Sequence, residues 1–156
     1  MSDTIAAPVD VRGPRFTAWI TTAVLAAVLL IWQFSPGWAT AVLAAQTVVF
    51  AIGATGGPRR HPYGQLFGRW VAPRLGPVTE REPVAPLRFA QLVGLIFAVV
   101  GVAGFVFFPL AGLIATGFAL VAAFLNAAFG ICLGCQLYPL IARLRPASVS
   151  GGDSSR

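Results

Sequence analysis

Cys132 and Cys135 are the only thiols in the chain, and they stand three apart in Cys132-Leu133-Gly134-Cys135. Two cysteines scattered at random would fall at this spacing roughly 1–2% of the time, so the spacing is itself a signal. Thiols three apart on a helix occupy adjacent faces. With some backbone adjustment they reach the geometry of a disulfide. The same spacing serves thiol–disulfide exchange, in which the second thiol resolves a mixed disulfide formed by the first. Metal chemistry fits less well. Gln136 stands where a Cys-x-x-Cys-His haem attachment needs histidine. Zinc wants four ligands, so the pair is half a site unless a dimer completes it, and copper(I) is the other metal that suits soft thiolates. The expected site is therefore a redox pair, Cys132 and Cys135, with no metal and no cofactor.

Other polar residues are sparse. Asn126 lies inside an apolar run, where an amide is costly unless bonded. It is expected to act as glue between helices. Gln46, Gln91 and Gln136 read in the same way, and Gln136, one turn from Cys132, is placed to hydrogen-bond its sulfur. His61, the single histidine, sits beside Arg59 and Arg60 and is expected to be a solvated loop residue. No Asp, Glu, Lys or His falls inside an apolar run, which argues against a proton-coupled pump or a channel with a charged filter. There is no Ser-His-Asp set, phosphate loop or nucleotide fingerprint.

The elements that must hold these residues are written in the composition. Apolar residues make up 57% of the 156-residue chain and charged residues 10%. A soluble domain carries about 25% charged residues, so lipid is the natural solvent here. The net charge is +6 and every basic residue is arginine. These arginines flank apolar runs rather than forming a nucleic-acid module, so no nucleic-acid partner is expected.

Residues 16–58 and 89–142 carry no formal charge. Each stretch accommodates two crossings, since a helix needs roughly 20 apolar residues to span about 30 Å of hydrocarbon. Turn residues divide them, Ser35-Pro36-Gly37 in the first and Phe108-Pro109 in the second. The expected fold is all-α: a four-helix transmembrane bundle with helices at about 15–34, 38–56, 87–107 and 111–142, preceded by an N-terminal segment at 1–14 and followed by a disordered tail at 146–156. Strands are disfavoured because the runs do not alternate polar and apolar residues as barrel strands do. In this arrangement all the arginines fall at one end of the bundle and the two tight turns carry none. The positive-inside rule then puts both termini and the central loop in the cytoplasm, with the chain a multi-pass protein of a bacterial plasma membrane. A cleaved signal peptide is disfavoured, because the first apolar run exceeds the usual signal core of about 7–15 residues.

Within the central loop, Tyr63, Leu66, Phe67, Trp70 and Val71 follow helical spacing along one face. Pro62 suits the first turn and Pro73 stops it. This predicts a short amphipathic helix lying on the membrane surface. Residues 76–86 read as an extended connector. The cysteines fall toward the C-terminal half of the fourth helix, where the dipole disfavours a thiolate. A break at Gly130 or Gly134 would remove that objection.

The stretch from Leu125 to Tyr138, with its Asn126-Ala127-Ala128-Phe129-Gly130-Ile131-Cys132-Leu133-Gly134-Cys135 core, resembles the C-terminal signature of small bacterial membrane proteins known as domain of unknown function 4395. Asp10 to Phe16, Pro62-Tyr63-Gly64 and Arg88 to Gly94 are similar to other parts of that family. The resemblance marks Asn126, Cys132 and Cys135 as signature positions and assigns no catalytic role. It implies sulfur or thiol redox chemistry by association, because members are encoded near thioredoxin-like proteins and rhodanese-type sulfurtransferases. The expected function is a membrane dithiol in redox relay or sulfur handling, with a cytosolic thioredoxin-like or sulfurtransferase partner. The alternatives are a small dimeric transporter, or transporter subunit, for a sulfur compound, a metal-thiolate protein, and a structural membrane partner with inert cysteines. A homo-oligomer fits each of them.

Overall fold

The computed structural model describes residues 7–144. Four long helices form a bundle: α1 (Arg12–Trp32), α2 (Pro36–Gly56), α4 (Val84–Phe107) and α5 (Pro109–Phe129). At 1.5 Å per residue, even the 21-residue helices are about 30 Å long, enough to cross the hydrocarbon. The protein is a multi-pass membrane protein. Its wide apolar outer surface, including Leu30, Val48, Ile96 and Phe118, faces lipid rather than water.

Proline at the first helical position starts both returning helices, Pro36 in α2 and Pro109 in α5. Its missing N–H is one that a helix start leaves unpaired in any case. Each span therefore turns back within a few residues. Around the bundle α1 packs on α2, α2 on α4, α4 on α5 and α5 on α1. Leu25, Val28 and Leu43 are fully enclosed in the centre, with Phe50, Ala98 and Phe105 beside them. Trp32 stacks on Phe105 with ring centroids 4.2 Å apart, while Phe34, Trp38 and Phe108 stand exposed at the tight-turn end, as in an aromatic interfacial belt.

The arginine-rich end is more elaborate. Arg88 donates from Nε to the Ala54 carbonyl (3.1 Å) and from Nη2 to the Thr55 carbonyl (2.9 Å). It thereby satisfies carbonyls that the end of α2 leaves without partners. The N-terminal segment is tied down. Its strand β1 (Val9–Asp10) pairs antiparallel with β2 (Arg81–Glu82) of the connector, Val9 opposite Glu82. Arg12 binds the Asp10 carboxylate at 2.8 Å and the Gly76 carbonyl at 3.1 Å. The expected extended connector at 76–86 holds the two-residue strand β2, and its last three residues already belong to α4.

The expected surface helix is present as α3 (Pro62–Leu66), continued by a π-helical turn at Phe67–Val71 and a 3-10 turn at Ala72–Arg74. Its face does not all meet lipid. Leu66 and Trp70 are exposed, whereas Phe67 is buried against the bundle and its ring lies 5.7 Å from that of Phe16. Tyr63 is partly buried and its hydroxyl donates to Gln46 Oε1 of α2 at 2.8 Å. Val71 is half-buried. Two aromatic residues of the stripe therefore pin the segment to α1 and α2, and the exposed pair faces outward.

The largest departure from the sequence expectation concerns the last helix. It does not run to residue 142. Helix α5 ends at Phe129, and a separate helix α6 (Leu133–Leu144) packs back along α4. The tail at 146–156 lies outside the described residues.

Replacing Phe105 with alanine is expected to lower the free energy of unfolding by about 3 kcal/mol, the usual scale for a buried aromatic. The readout is the midpoint of an SDS titration in mixed micelles. An unchanged midpoint would mean that the stack on Trp32 contributes nothing.

Candidate functional site: a dithiol at the mouth of a bundle cavity

Gly130 decides where the cysteines sit. It adopts φ 68°, ψ 15°, the left-handed conformation that ends helices. The N–H groups of Gly130 and Ile131 fold back onto the carbonyls of Asn126 (3.1 Å) and Leu125 (3.2 Å). The chain then restarts as α6, with Cys132 immediately before its first residue. Cys132 acts as the N-cap. Its Sγ accepts a hydrogen bond from the Cys135 backbone N–H at 3.4 Å, and its carbonyl accepts from the Gln136 N–H at 3.0 Å. Serine and aspartate use the same geometry to satisfy the free N–H groups of a helix start. Gly134 brings α6 against α4, since a Cβ there would lie 2.6 Å from the Ala90 Cα.

This placement reverses the dipole objection. Cys132 lies at the positive end of a helix, where negative charge is stabilised. A hydrogen bond from the Cys135 thiol pulls the Cys132 thiol below its ordinary value, burial opposes the shift, and the Cys135 backbone N–H reinforces it. Cys135 is pushed up, because its proton is held by the Cys132 sulfur and because burial disfavours its charge. The two thiols are thus unequal: Cys132 is the more acidic, and Cys135 holds its proton more tightly. Both are free and partly buried. The charge of Glu82 in β2 raises both sulfurs, and burial raises the carboxyl of Glu82 in turn, against the pull of Arg15.

Behind the dithiol is a cavity of about 380 Å³, within the usual range for small-molecule sites. It lies between α1, α4 and α5 at the arginine-rich end, and Cys132 forms part of its wall. Phe50, Phe97, Phe118 and Ala123 make most of it apolar, while Gln91, Asn126 and His61 supply polar groups.

His61 is not solvated. Its exposure is 2%, and it caps α3 by accepting the Tyr63 backbone N–H on Nδ1 at 3.3 Å. Its proton therefore resides on Nε2, which has no hydrogen-bond partner, as is also true of Gln91 Oε1. Those groups are near enough for Gln91 to favour the imidazolium slightly, though not aligned as a hydrogen bond. Burial dominates and pushes the imidazole down to about 4. Buried polar atoms without partners are rare and call for an explanation.

The other expected site residues are distributed unevenly. Asn126 reaches the cavity wall, but from the last turn of α5 rather than from mid-membrane, and its backbone carbonyl helps end the helix. Gln136 is exposed, and the sulfur contact expected of it is made by the Cys135 N–H instead. Gln46 is buried as interhelical glue, through Tyr63. Leu66 and Trp70 stand apart from the dithiol as exposed interfacial residues. Sequence reasoning missed His61, Gln91 and Glu82 as neighbours of the site. The His61-Pro62 step, an N-cap before a proline, was the available signal for the first. Glu82 had none, because its nearness depends on strand pairing with Val9.

Among the described residues no cluster of three metal-binding side chains occurs. Residues 9–143 match the family described as Domain of unknown function (DUF4395). The chain belongs to that family. No curated protein and no solved structure matches it. The matched residues include both the left-handed Gly130 turn and the N-cap cysteine.

Two outcomes are expected. With limiting iodoacetamide at neutral pH, Cys132 should be alkylated at least tenfold faster than Cys135, read by peptide mass spectrometry; equal rates would contradict the unequal thiols. For His61, the folded value of about 4 lies below the unfolded 6.5. Its contribution is fully present above pH 6.5 and is lost as pH falls toward 4, by on the order of 3 kcal/mol. Thermal unfolding in detergent between pH 7 and 4.5 should show this loss, and His61→Gln should flatten it.

Proposed function

We propose that the protein is a membrane dithiol that exchanges disulfides with a cytosolic thioredoxin-like or sulfurtransferase partner. The observation that carries this reading is the N-cap position of Cys132, which favours its thiolate, with the Cys135 residue in contact. The clustering of arginine at the dithiol's end of the bundle supports a cytoplasmic location for the site, in the plasma membrane of a bacterium.

The exchange balances as follows. The Cys132 thiolate attacks one sulfur of a partner disulfide; a Cys132–partner bond forms and the partner's other sulfur leaves as thiolate. Cys135 then gives up its proton to solvent and attacks Cys132 Sγ. The Cys132–Cys135 bond forms and the second partner sulfur leaves. Two electrons have passed to the partner. The reverse sequence oxidises the partner through the same mixed disulfide. Stabilising the Cys132 thiolate stabilises the reduced pair, which makes its disulfide the more oxidising and favours that reverse direction.

A Cys135→Ser variant should accumulate a mixed disulfide through Cys132 with an oxidised thioredoxin-like protein. Cys132→Ser should trap at least tenfold less, and the adduct should form on inverted vesicles but not on intact cells. Full activity in cells of both single variants would remove the reading.

A further inference from the structure

A dithiol that oxidises its partner must itself be reoxidised, and the cavity behind Cys132 has the chemistry of a site for the oxidant. We propose that this cavity binds a lipid-soluble quinone, which takes two electrons from the Cys132–Cys135 pair. The proposal rests on the exchange function inferred above.

Three observations meet at this one place. First, Cys132 is in the wall, so an occupant touches the residue that bears the reactive sulfur. Second, the rest of the wall is mostly apolar, with Phe50, Phe97 and Phe118 among its residues. A planar ring with an apolar tail matches that wall; a small sulfur oxyanion would lose its hydration there with little return. Third, His61 and Gln91 line the same cavity, and the donor His61 Nε2–H and the acceptor Gln91 Oε1, enclosed and close to each other, lack an aligned hydrogen bond. A quinone carbonyl accepts from the first, and the O–H of the quinol product donates to the second. The orphaned pair is thus complementary to both redox states of one ligand. A hydrocarbon chain would satisfy neither group.

The step balances without a further reagent. The Cys132 thiolate, the Cys135 thiol, one quinone and one proton from solvent give the Cys132–Cys135 disulfide and one quinol. The S–S bond forms, the Cys135 S–H bond breaks, and the quinone's two oxygens receive the Cys135 proton and the solvent proton.

The test uses the full-length, reduced protein in nanodiscs under anaerobic conditions with decylubiquinone, whose substituted ring resists addition of thiols. Quinol formation and remaining free thiols are measured together. The expected result is one quinone reduced and two thiols lost per chain. His61→Leu should raise the KM for decylubiquinone at least tenfold, and His61→Gln, which keeps an N–H donor, should recover most of it. Ala123→Phe, which puts a ring into the cavity, should abolish quinone reduction while leaving exchange with an oxidised thioredoxin-like protein unchanged. Circular dichroism melts of each variant separate loss of binding from loss of fold. If the thioredoxin-like protein oxidises the pair but decylubiquinone does not, the quinone site is wrong and the exchange function stands. Should neither oxidise it, both readings fall. Quinone reduction that persists at full rate in Ala123→Phe would place the reaction outside the cavity and overturn the proposal.

Discussion

Inside hydrocarbon a backbone N–H or C=O must find its partner within the protein, and this constraint shapes the whole molecule. It requires helices that run uninterrupted across the bilayer and allows irregular backbone only near their ends. Every break in the four spans obeys it. Pro36 and Pro109 start helices where no N–H is missed, and Arg88 covers the carbonyls at the end of α2. The same constraint operates at the end of α5, where Gly130 turns the chain so that its N–H groups return to Asn126 and Leu125. Because a helix must end there, another can begin, and its first free N–H groups are what Cys132 meets.

The chemistry therefore follows from an ending. In an unbroken fourth helix both thiols would sit among paired backbone groups, far from any positive helix end, and would behave as small apolar side chains. With the break, one sulfur accepts the Cys135 N–H and the neighbouring thiol, and the other keeps its proton. Burial acts in opposite senses on the two groups that matter. It holds His61 neutral, leaving a fixed N–H donor, and it adds to the hydrogen bond with Cys132 in raising Cys135. A polar, partly unsatisfied cavity in an otherwise apolar bundle is the kind of feature that membrane proteins retain for function.

Much of this was legible in the residues. The four spans, their turns and the collection of arginine at one end followed from charge-free lengths and from proline placement, and the cysteine spacing singled out the pair that the structure places beside the cavity. What misled was local reasoning about side chains whose surroundings are distant in the chain. Arg59 and Arg60 suggested water around His61, yet its ring lies over Gly53 and beside Gln91, from two different spans. Tyr63 and Phe67 belong to a correctly spaced stripe, but Gln46 and Phe16 draw them inward. Apolar composition continues through residue 142, so hydropathy alone carried the last helix past Gly130.

Sequence by itself determined how many times the chain crosses the bilayer and which ends of the helices share a side. Transfer into lipid is summed over about 20 residues, and such a sum is insensitive to any single contact. Tertiary structure decided where the last helix stops, which cysteine is the more acidic, and that His61, Gln91, Asn126 and Cys132 line one cavity. Those outcomes depend on a single backbone dihedral and on contacts between elements far apart in the chain. Neither has a local signature, because each becomes favourable only once the other helices are in place.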